Sequence, residues 1–459
     1  MTKQNNEPVS SFRFLDLFSG IGGFHHALRS LGGRCVMACE IDDDARKVYR
    51  ETFDPDGENF PLVDNIRHLT RSVIDDEKAL LSSADIDRLV PDHEVLCGGF
   101  PCQPFSKSGG QQGTRDKTRG TLFFDMLRII EAKRPPYLFL ENVRNLAGPR
   151  HSDTWQTIVS SLRDLGYVVS SDPMIFSPHL LPSKLGGVPQ NRERVFILGV
   201  RNDKEGGQID RLTQFNLEMR EKKLWEPDLW QISEYLEDDE DIDGIKDFEV
   251  SQNEEMYLEA WNYFVETIKQ DSLPGFPIWA FALQDAPYLA TGMASWESDF
   301  RIKNSRFYVE NKDFVDAWKQ MKWGTAQLTV PEFPVSRQKL EWQARKKHPI
   351  REGRTLRDLV IQFRPSGIRV KPPTYLPALV AITQTSVIGP LLRRNAKTYR
   401  KLTLVEAGRL QGFPDHLYQK NPVSQKAAYK QLGNAVNVGM IQRVAGILLG
   451  IYQTPDGRR

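Results

Sequence analysis

The apolar run at residues 12–18 (FRFLDLF) breaks into a turn holding three glycines, Gly20, Gly22 and Gly23, and helical spacing of apolar residues then runs from Gly22 to Leu31. A strand that empties through such a turn into a helix commits the chain to a crossover, because the helix carries it back along the sheet. The pattern then recurs. Residues 34–40 (RCVMACE) read as a second strand, followed by a helix beginning near Asp42. Residues 94–98, 137–140 and 194–200 read as further buried strands, and residues 122–133 and 154–165 carry helical periodicity between them. Near-continuous apolar strands are covered on both faces. The spacing therefore predicts an α/β domain, a parallel sheet flanked by helices.

Beyond Arg201 this rhythm stops. The stretch to about Pro390 is rich in Trp and charge, without β-α alternation, and is expected to form a second, irregular domain. The helical pattern resumes at Leu402 (LTLVEAGRLQGFP), with a cap at Thr403 and Glu406 three residues later. A last helix follows Asn434. At 459 residues the chain exceeds one ordinary core. The expected division is 1–200, 201–390, and a return segment 391–459 that completes the first domain.

Charge decides less than its distribution does. Lys and Arg number 61 against 60 Asp and Glu, a formal net charge of +1. Within that near-balance lie an acidic stretch at 234–254 and basic ones at 337–371 and 393–401, so the total can hide a basic surface. No apolar run approaches the ~20 residues of a membrane helix, and residues 1–11 (MTKQNNEPVSS) lack the apolar core of a signal peptide. A cytoplasmic, nucleoid-associated protein without a membrane partner is expected. Of four cysteines, Cys35, Cys39 and Cys97 sit inside apolar runs and read as core residues. No Cys or His spacing completes a metal site.

Cys102 stands apart. It follows a buried strand and lies between Pro101 and Pro104 in GGFPCQPFS, a stiff stretch, ahead of a Gly-, Gln- and Arg-rich segment suited to a loop that closes over a substrate. The residues alone leave open a reactive thiol or a structural one. The glycine turn, with Glu40 ending the second strand twenty residues on, suits a ligand with ribose hydroxyls, though such turns serve nucleotides of many kinds. Glu141 in ENV, and Arg192 and Arg194 in QNRER, fall at strand ends, where open sheets bind ligands.

In this order the blocks DLFSGIGG, GGFPCQPFS, ENV, QNRER, RLQGFP and QLGNAV resemble the motif series of the prokaryotic-type DNA (cytosine-5) methyltransferases. That resemblance implies a Rossmann-like S-adenosylmethionine-dependent domain, with a target-recognition domain in the central region. It implies Cys102 as nucleophile toward C6 of a flipped-out cytosine, Glu141 on the base N3 and amine, and Arg192 and Arg194 on its O2 and nearby phosphate. Phe18, Ser19, Gly20, Ile21, Gly22, Gly23, Glu40, Ile41, Asn65, Ile66, Pro101, Leu122, Asn434 and Val436 would surround S-adenosylmethionine, leaving S-adenosylhomocysteine as product, with no metal. Where the family has Gly-Asp-Ile this chain reads Asp64-Asn65-Ile66, so Asn65 or Asp64 takes the adenine contact. Ser106, Arg337, Arg345, Lys346, Lys347, Arg354 and Arg369 are candidates for contact with double-stranded DNA, with the acidic stretch facing away. A monomer serving a restriction–modification or other anti-phage system is expected. An RNA (tRNA) cytosine-5 methyltransferase would share every motif, but with a shorter central region. An inactive DNA-binding regulator would not need Cys102, Glu141 and Arg194 together, and a dehydrogenase would leave Cys102 unexplained.

Overall fold

The computed structural model describes residues 11–452 except 73–78, 102–120, 205–206, 222–229, 269–272, 344–354, 380–385 and 420–422. These residues form two compact units. One holds the described residues up to position 227 and from Ala407 onward, the other those within 228–379 and 383–406.

The first unit is built on eight strands: β1 (Phe12–Leu17), β2 (Gly33–Cys39), β3 (Leu62–Val63), β4 (Val95–Gly99), β5 (Tyr137–Val143), β6 (Tyr167–Val169), β7 (Met174–Phe176) and β8 (Arg194–Arg201). Their order is β3-β2-β1-β4-β5-β8-β6, with β7 also paired to β8. The first five pair in parallel. β8 runs antiparallel to β5, β6 and β7, so the sheet read as parallel from the sequence is parallel from β1 to β5 and reverses at β8. The physical reason lies in the connection. Between β7 and β8 there are only short 3-10 turns and the two-residue strand Gln190–Asn191, and without a crossover helix the chain must reverse.

Alternate residues of the strands supply two cores. Phe14, Cys97, Phe139 and Phe196 join the helices Gly23–Ser30, Gln208–Arg220 and Val438–Leu448 through Leu28, Phe215 and Val444. Leu15, Leu96, Leu138 and Leu140 face the helices Leu122–Lys133 and Ser152–Asp164 through Ile130, Ile158 and Leu162. The helix Gln208–Arg220 thus belongs to the first unit, beyond the expected limit at residue 200. Its Leu212, Phe215 and Met219 are fully buried there, and three such side chains outweigh the polar stretch that precedes them.

At the centre of this sheet Asp16 is fully buried. It accepts a hydrogen bond from the Tyr49 hydroxyl at 3.2 Å, and Tyr49 in turn meets His25 Nδ1 at 2.8 Å. Burial pushes the Asp16 carboxyl up to about 7 and His25 down to about 3. A carboxyl whose folded value is raised contributes stability that is present below its unfolded value and lost as pH rises through the folded one. Asp16→Asn, which keeps the acceptor for Tyr49, is therefore expected to melt progressively above the parent protein from pH 5 to pH 8, by about 5 °C or more at the upper end. A melting difference that does not change with pH would refute this.

The second unit is more regular than its sequence suggests. Six strands follow the order Ile278–Trp279, Lys339–Trp342, Gly367–Lys371, Val360–Arg364, Ser386–Ile388 and Arg400–Lys401. The helices Gln252–Thr267, Ser295–Glu310 and Lys312–Gln320 accompany them, and Trp261, Phe264, Trp318, Ile361 and Val370 share the core. Strands of two to five residues are too short to show a two-residue alternation, which is why the sequence reads as irregular.

Charge runs that look like surface are spent inside this unit. Arg400 is fully buried, donating to both Glu406 oxygens at 2.7 and 2.8 Å and to Asp239 at 2.9 Å. Arg393 pairs with Asp239 as well. Two arginines of the basic run 393–401 are thus held by Asp239 of the acidic stretch and by Glu406, because a buried guanidinium without carboxylates would be unstable. The cap at Thr403 forms as the spacing predicts, with Glu406 N donating to Thr403 Oγ1 at 3.1 Å and Thr403 N to Glu406 Oε2 at 2.8 Å.

Candidate functional site

At the C-terminal ends of β1, β2, β4 and β5, residues from eight separated segments enclose a cavity of about 410 Å3. Phe18, Ser19, Gly20, Ile21 and Gly23 supply one wall, and Glu40, Ile41, Asp64, Asn65 and Ile66 a second. Pro101, Leu122, Asn434 and Val436 also line it, as do Glu141 and Arg194. Of the expected small-molecule contacts only Gly22 stands back.

The turn after β1 is under unusual backbone constraint. Phe18 has φ 56°, a left-handed conformation that non-glycine residues rarely adopt, and Gly20 and Gly22 follow at 54° and 86°. The three glycines are needed for different reasons. A Cβ on Gly20 would meet nothing within 4 Å, so this position opens onto free space at the cavity wall. A Cβ on Gly22 would stand 2.2 Å from the Phe53 ring, so Gly22 serves packing rather than the cavity. A Cβ on Gly23 would come within 2.9 Å of the Val436 carbonyl, so this glycine lets the C-terminal return lie against the turn.

Glu40 is held from both sides. Its Oε2 accepts Gly20 N–H at 2.8 Å and its Oε1 accepts Asp42 N–H at 2.8 Å. Each oxygen keeps a second acceptor site for a ligand hydroxyl, and the carboxylate is already oriented to offer it. Beside it, Asn65 Oδ1 accepts Arg67 N–H at 3.0 Å, and Asp64 meets His68 at 2.8 Å. An ion pair that sequence reading missed, Lys430 to Asp42 at 2.8 Å, joins the return segment to this rim. Nothing local signals it, since its partners are 388 residues apart.

Glu141 is buried at the end of β5, where Arg194 Nε meets its Oε1 at 2.9 Å. Burial raises the Glu141 carboxyl above the usual range, against the opposing pull of Arg194 and Arg192. Desolvation wins here because the carboxylate has left water almost completely, while the ion pair offsets only part of that cost. A Cβ on the neighbouring Gly99 would approach Glu141 Oε2 to 3.2 Å, which explains a glycine at the tip of β4. Asn142 is a second residue that sequence reading passed over. Its buried Nδ2 donates to the Phe100 carbonyl at 2.8 Å, tying the exit of β4 to the exit of β5. The dipeptide Glu-Asn in ENV was the available signal.

Cys102 and Ser106 lie outside the described residues, as do Arg345, Lys346, Lys347 and Arg354. Pro101, the last described residue before Cys102, is on the cavity wall. Cys35, Cys39 and Cys97 are buried, and burial pushes the Cys39 thiol up to about 12. Such thiols are inert at neutral pH. Arg192 does not line the cavity; it is 2% exposed and bonded to backbone carbonyls. In the other unit, Arg369 Nε is paired to Glu341 on the adjacent strand at 2.8 Å, and Arg337 stacks over Phe363 at 4.6 Å. Among the described residues no helix is long and apolar enough to cross a membrane, and no group of three metal-ligating side chains is present.

Comparison with known proteins places the chain in a family. The family model described as C-5 cytosine-specific DNA methylase matches residues 12–449. The type II methyltransferase M.AluI of Cellulosimicrobium cellulans is 37% identical over 519 aligned residues, covering 97% of this chain and 92% of that protein. The type II methyltransferase M.HhaI of Haemophilus parahaemolyticus is 36% identical over 203 residues, 44% of this chain and 53% of that one. Among solved structures, a Dnmt2 methyltransferase of S. pombe aligns over 96% of this chain and 99% of its own, at 18% identity and a TM-score of 0.48.

Proposed function

The chain belongs to the C-5 cytosine-specific DNA methylase family and is a DNA (cytosine-5-)-methyltransferase, and we propose that it methylates a flipped-out cytosine in a specific duplex sequence through a covalent bond from Cys102 to C6. The observation that carries this reading is Glu141, buried with a raised carboxyl and aligned by Arg194 on the same cavity as Pro101.

The cavity suits S-adenosylmethionine on its own geometry. Glu40 presents two oriented acceptors, Gly20 leaves the backbone of the turn open, and Phe18, Ile41 and Leu122 offer apolar contact. Ser19, Ile21, Ile66, Asn434 and Val436 complete the enclosure, with Asn65 or Asp64 toward the adenine. When bound, this cofactor supplies the electrophilic methyl group.

The chain's own residues do the rest. Cytosine C5 is a poor nucleophile, and addition of the Cys102 thiolate at C6 breaks the ring's aromaticity and makes C5 an enamine carbon. A protonated Glu141 donates to N3, so that the negative charge of the adduct is offset as it develops. Arg194 holds Glu141 and the base O2 together. Once C5 carries the methyl group, loss of its proton lets the C–S bond break and returns Cys102. Because stacking hides C5 and C6, the nucleotide must leave the duplex first.

In the second unit, the segment containing Arg345, Lys346, Lys347 and Arg354 supplies phosphate contacts, and that unit selects the target sequence. Ser106 adds a further contact to DNA. The relatives named as type II methyltransferases support a place in a restriction–modification system, with the enzyme acting as a monomer on cytoplasmic DNA.

Duplexes carrying 5-fluorocytosine test the covalent route, because fluorine cannot leave C5 as a proton does. With S-adenosylmethionine present, a denaturant-resistant protein–DNA adduct is expected at the target sequence identified by methylation sequencing. DNA that is bound and methylated when unmodified, yet never trapped when fluorinated, would remove Cys102 from the mechanism.

A further inference from the structure

Resemblance puts Arg192 against the substrate, but its geometry points elsewhere. The side chain is 2% exposed and absent from the cavity wall. Its Nη2 donates to the Gly433 carbonyl at 2.9 Å and to the Ala435 carbonyl at 2.7 Å. These two carbonyls flank Asn434, the last residue of the helix Gln425–Asn434. The final carbonyls of a helix have no partner within it and carry its negative dipole end, so a cation there is favoured twice over.

What this cap holds in place is functional surface. Gly433, Asn434, Ala435 and Val436 all line the cavity, and the Val436 carbonyl lies so close to Gly23 that a Cβ there would be 2.9 Å away. The main chain at Arg192 is itself anchored, with its N–H donating to buried Ser177 Oγ at 3.0 Å and Ser177 meeting His179 Nδ1 at 2.8 Å. Just before it, Gln190 Nε2 donates to the Leu410 carbonyl at 3.3 Å. Gln190 and Arg192 thus grip the return segment, while Arg194 turns to Glu141.

We infer that Arg192 is a positioning residue: by capping the helix that ends at Asn434 it holds residues 433–436 against the glycine turn and sets affinity for the adenosyl cofactor, without touching DNA. The inference rests on the cofactor reading above, and the two can fail separately.

The test is calorimetric titration of the DNA-free enzyme with S-adenosylhomocysteine, alongside DNA binding by the cofactor-free enzyme. Arg192→Met is expected to weaken the product by about tenfold, the scale set by lost charge-assisted bonds, and to raise the S-adenosylmethionine KM more than it lowers kcat. DNA affinity should stay within about twofold of the parent. Should Arg192→Met fail to fold, Arg192→Lys carries the same comparison. It keeps the charge but cannot reach both carbonyls equally, and is expected to show a smaller loss of the same sign. Unchanged product affinity in a folded variant, with DNA binding reduced, would return Arg192 to the substrate and overturn the inference. Failure of the parent enzyme to bind S-adenosylhomocysteine would instead overturn the cofactor reading.

Discussion

Cys102→Ser is expected to abolish methyl transfer to duplex DNA, by about four orders of magnitude or more, as loss of a covalent nucleophile does elsewhere. The serine hydroxyl fills the same volume but stays protonated at neutral pH, so the C6 adduct is not formed. Cofactor affinity measured without DNA should hold within about twofold, since the carboxylate and turn that would bind it, Glu40 and Gly20, are fixed by bonds to one another. Fluorinated duplexes should be bound but not trapped. The readouts are turnover with labelled cofactor, calorimetry with S-adenosylhomocysteine, and denaturing gels. Turnover near the parent rate would end the covalent mechanism.

The second large effect is expected at Glu141. Glu141→Gln keeps the volume and an amide donor but has no proton to give, and kcat should fall by about 10²–10⁴. The pH dependence carries the sign. The active form is the protonated carboxyl, and burial raises its value, so the acid persists to higher pH than an exposed glutamate would. The parent rate should therefore fall as pH rises through that raised value. The glutamine variant should be slow and flat over the same range. A variant that retains the alkaline decline would assign it to another group. Because Arg194 loses its charged partner, the variant should also be checked for folding by its melting temperature.

Much of the site was legible because its parts are local. A glycine turn after a strand, an acid at the next strand's end and an arginine before a strand each leave a mark within a few residues, whereas Cys102 lies outside the described residues. Gly22, which is absent from the cavity lining, marks the limit of such reading. The sequence shows that a glycine is required, but not whether a ligand or the Phe53 ring claims the space. The same holds for Arg393 and Arg400, which look like surface charge until Asp239 and Glu406 are found beside them.

By itself, the sequence determined the α/β alternation, which is written in short-range spacing, and, through the resemblance of its motif blocks, the family. Only the tertiary structure decided which of the chemistry-bearing residues meet. It set β8 antiparallel, placed the helix Gln208–Arg220 on the first unit, buried Glu141 until its carboxyl was raised, and turned Arg192 from the cavity toward Gly433 and Ala435. Burial and long-range pairing depend on what the rest of the chain brings alongside. Gly433 lies 241 residues from Arg192, a separation at which no local pattern carries information.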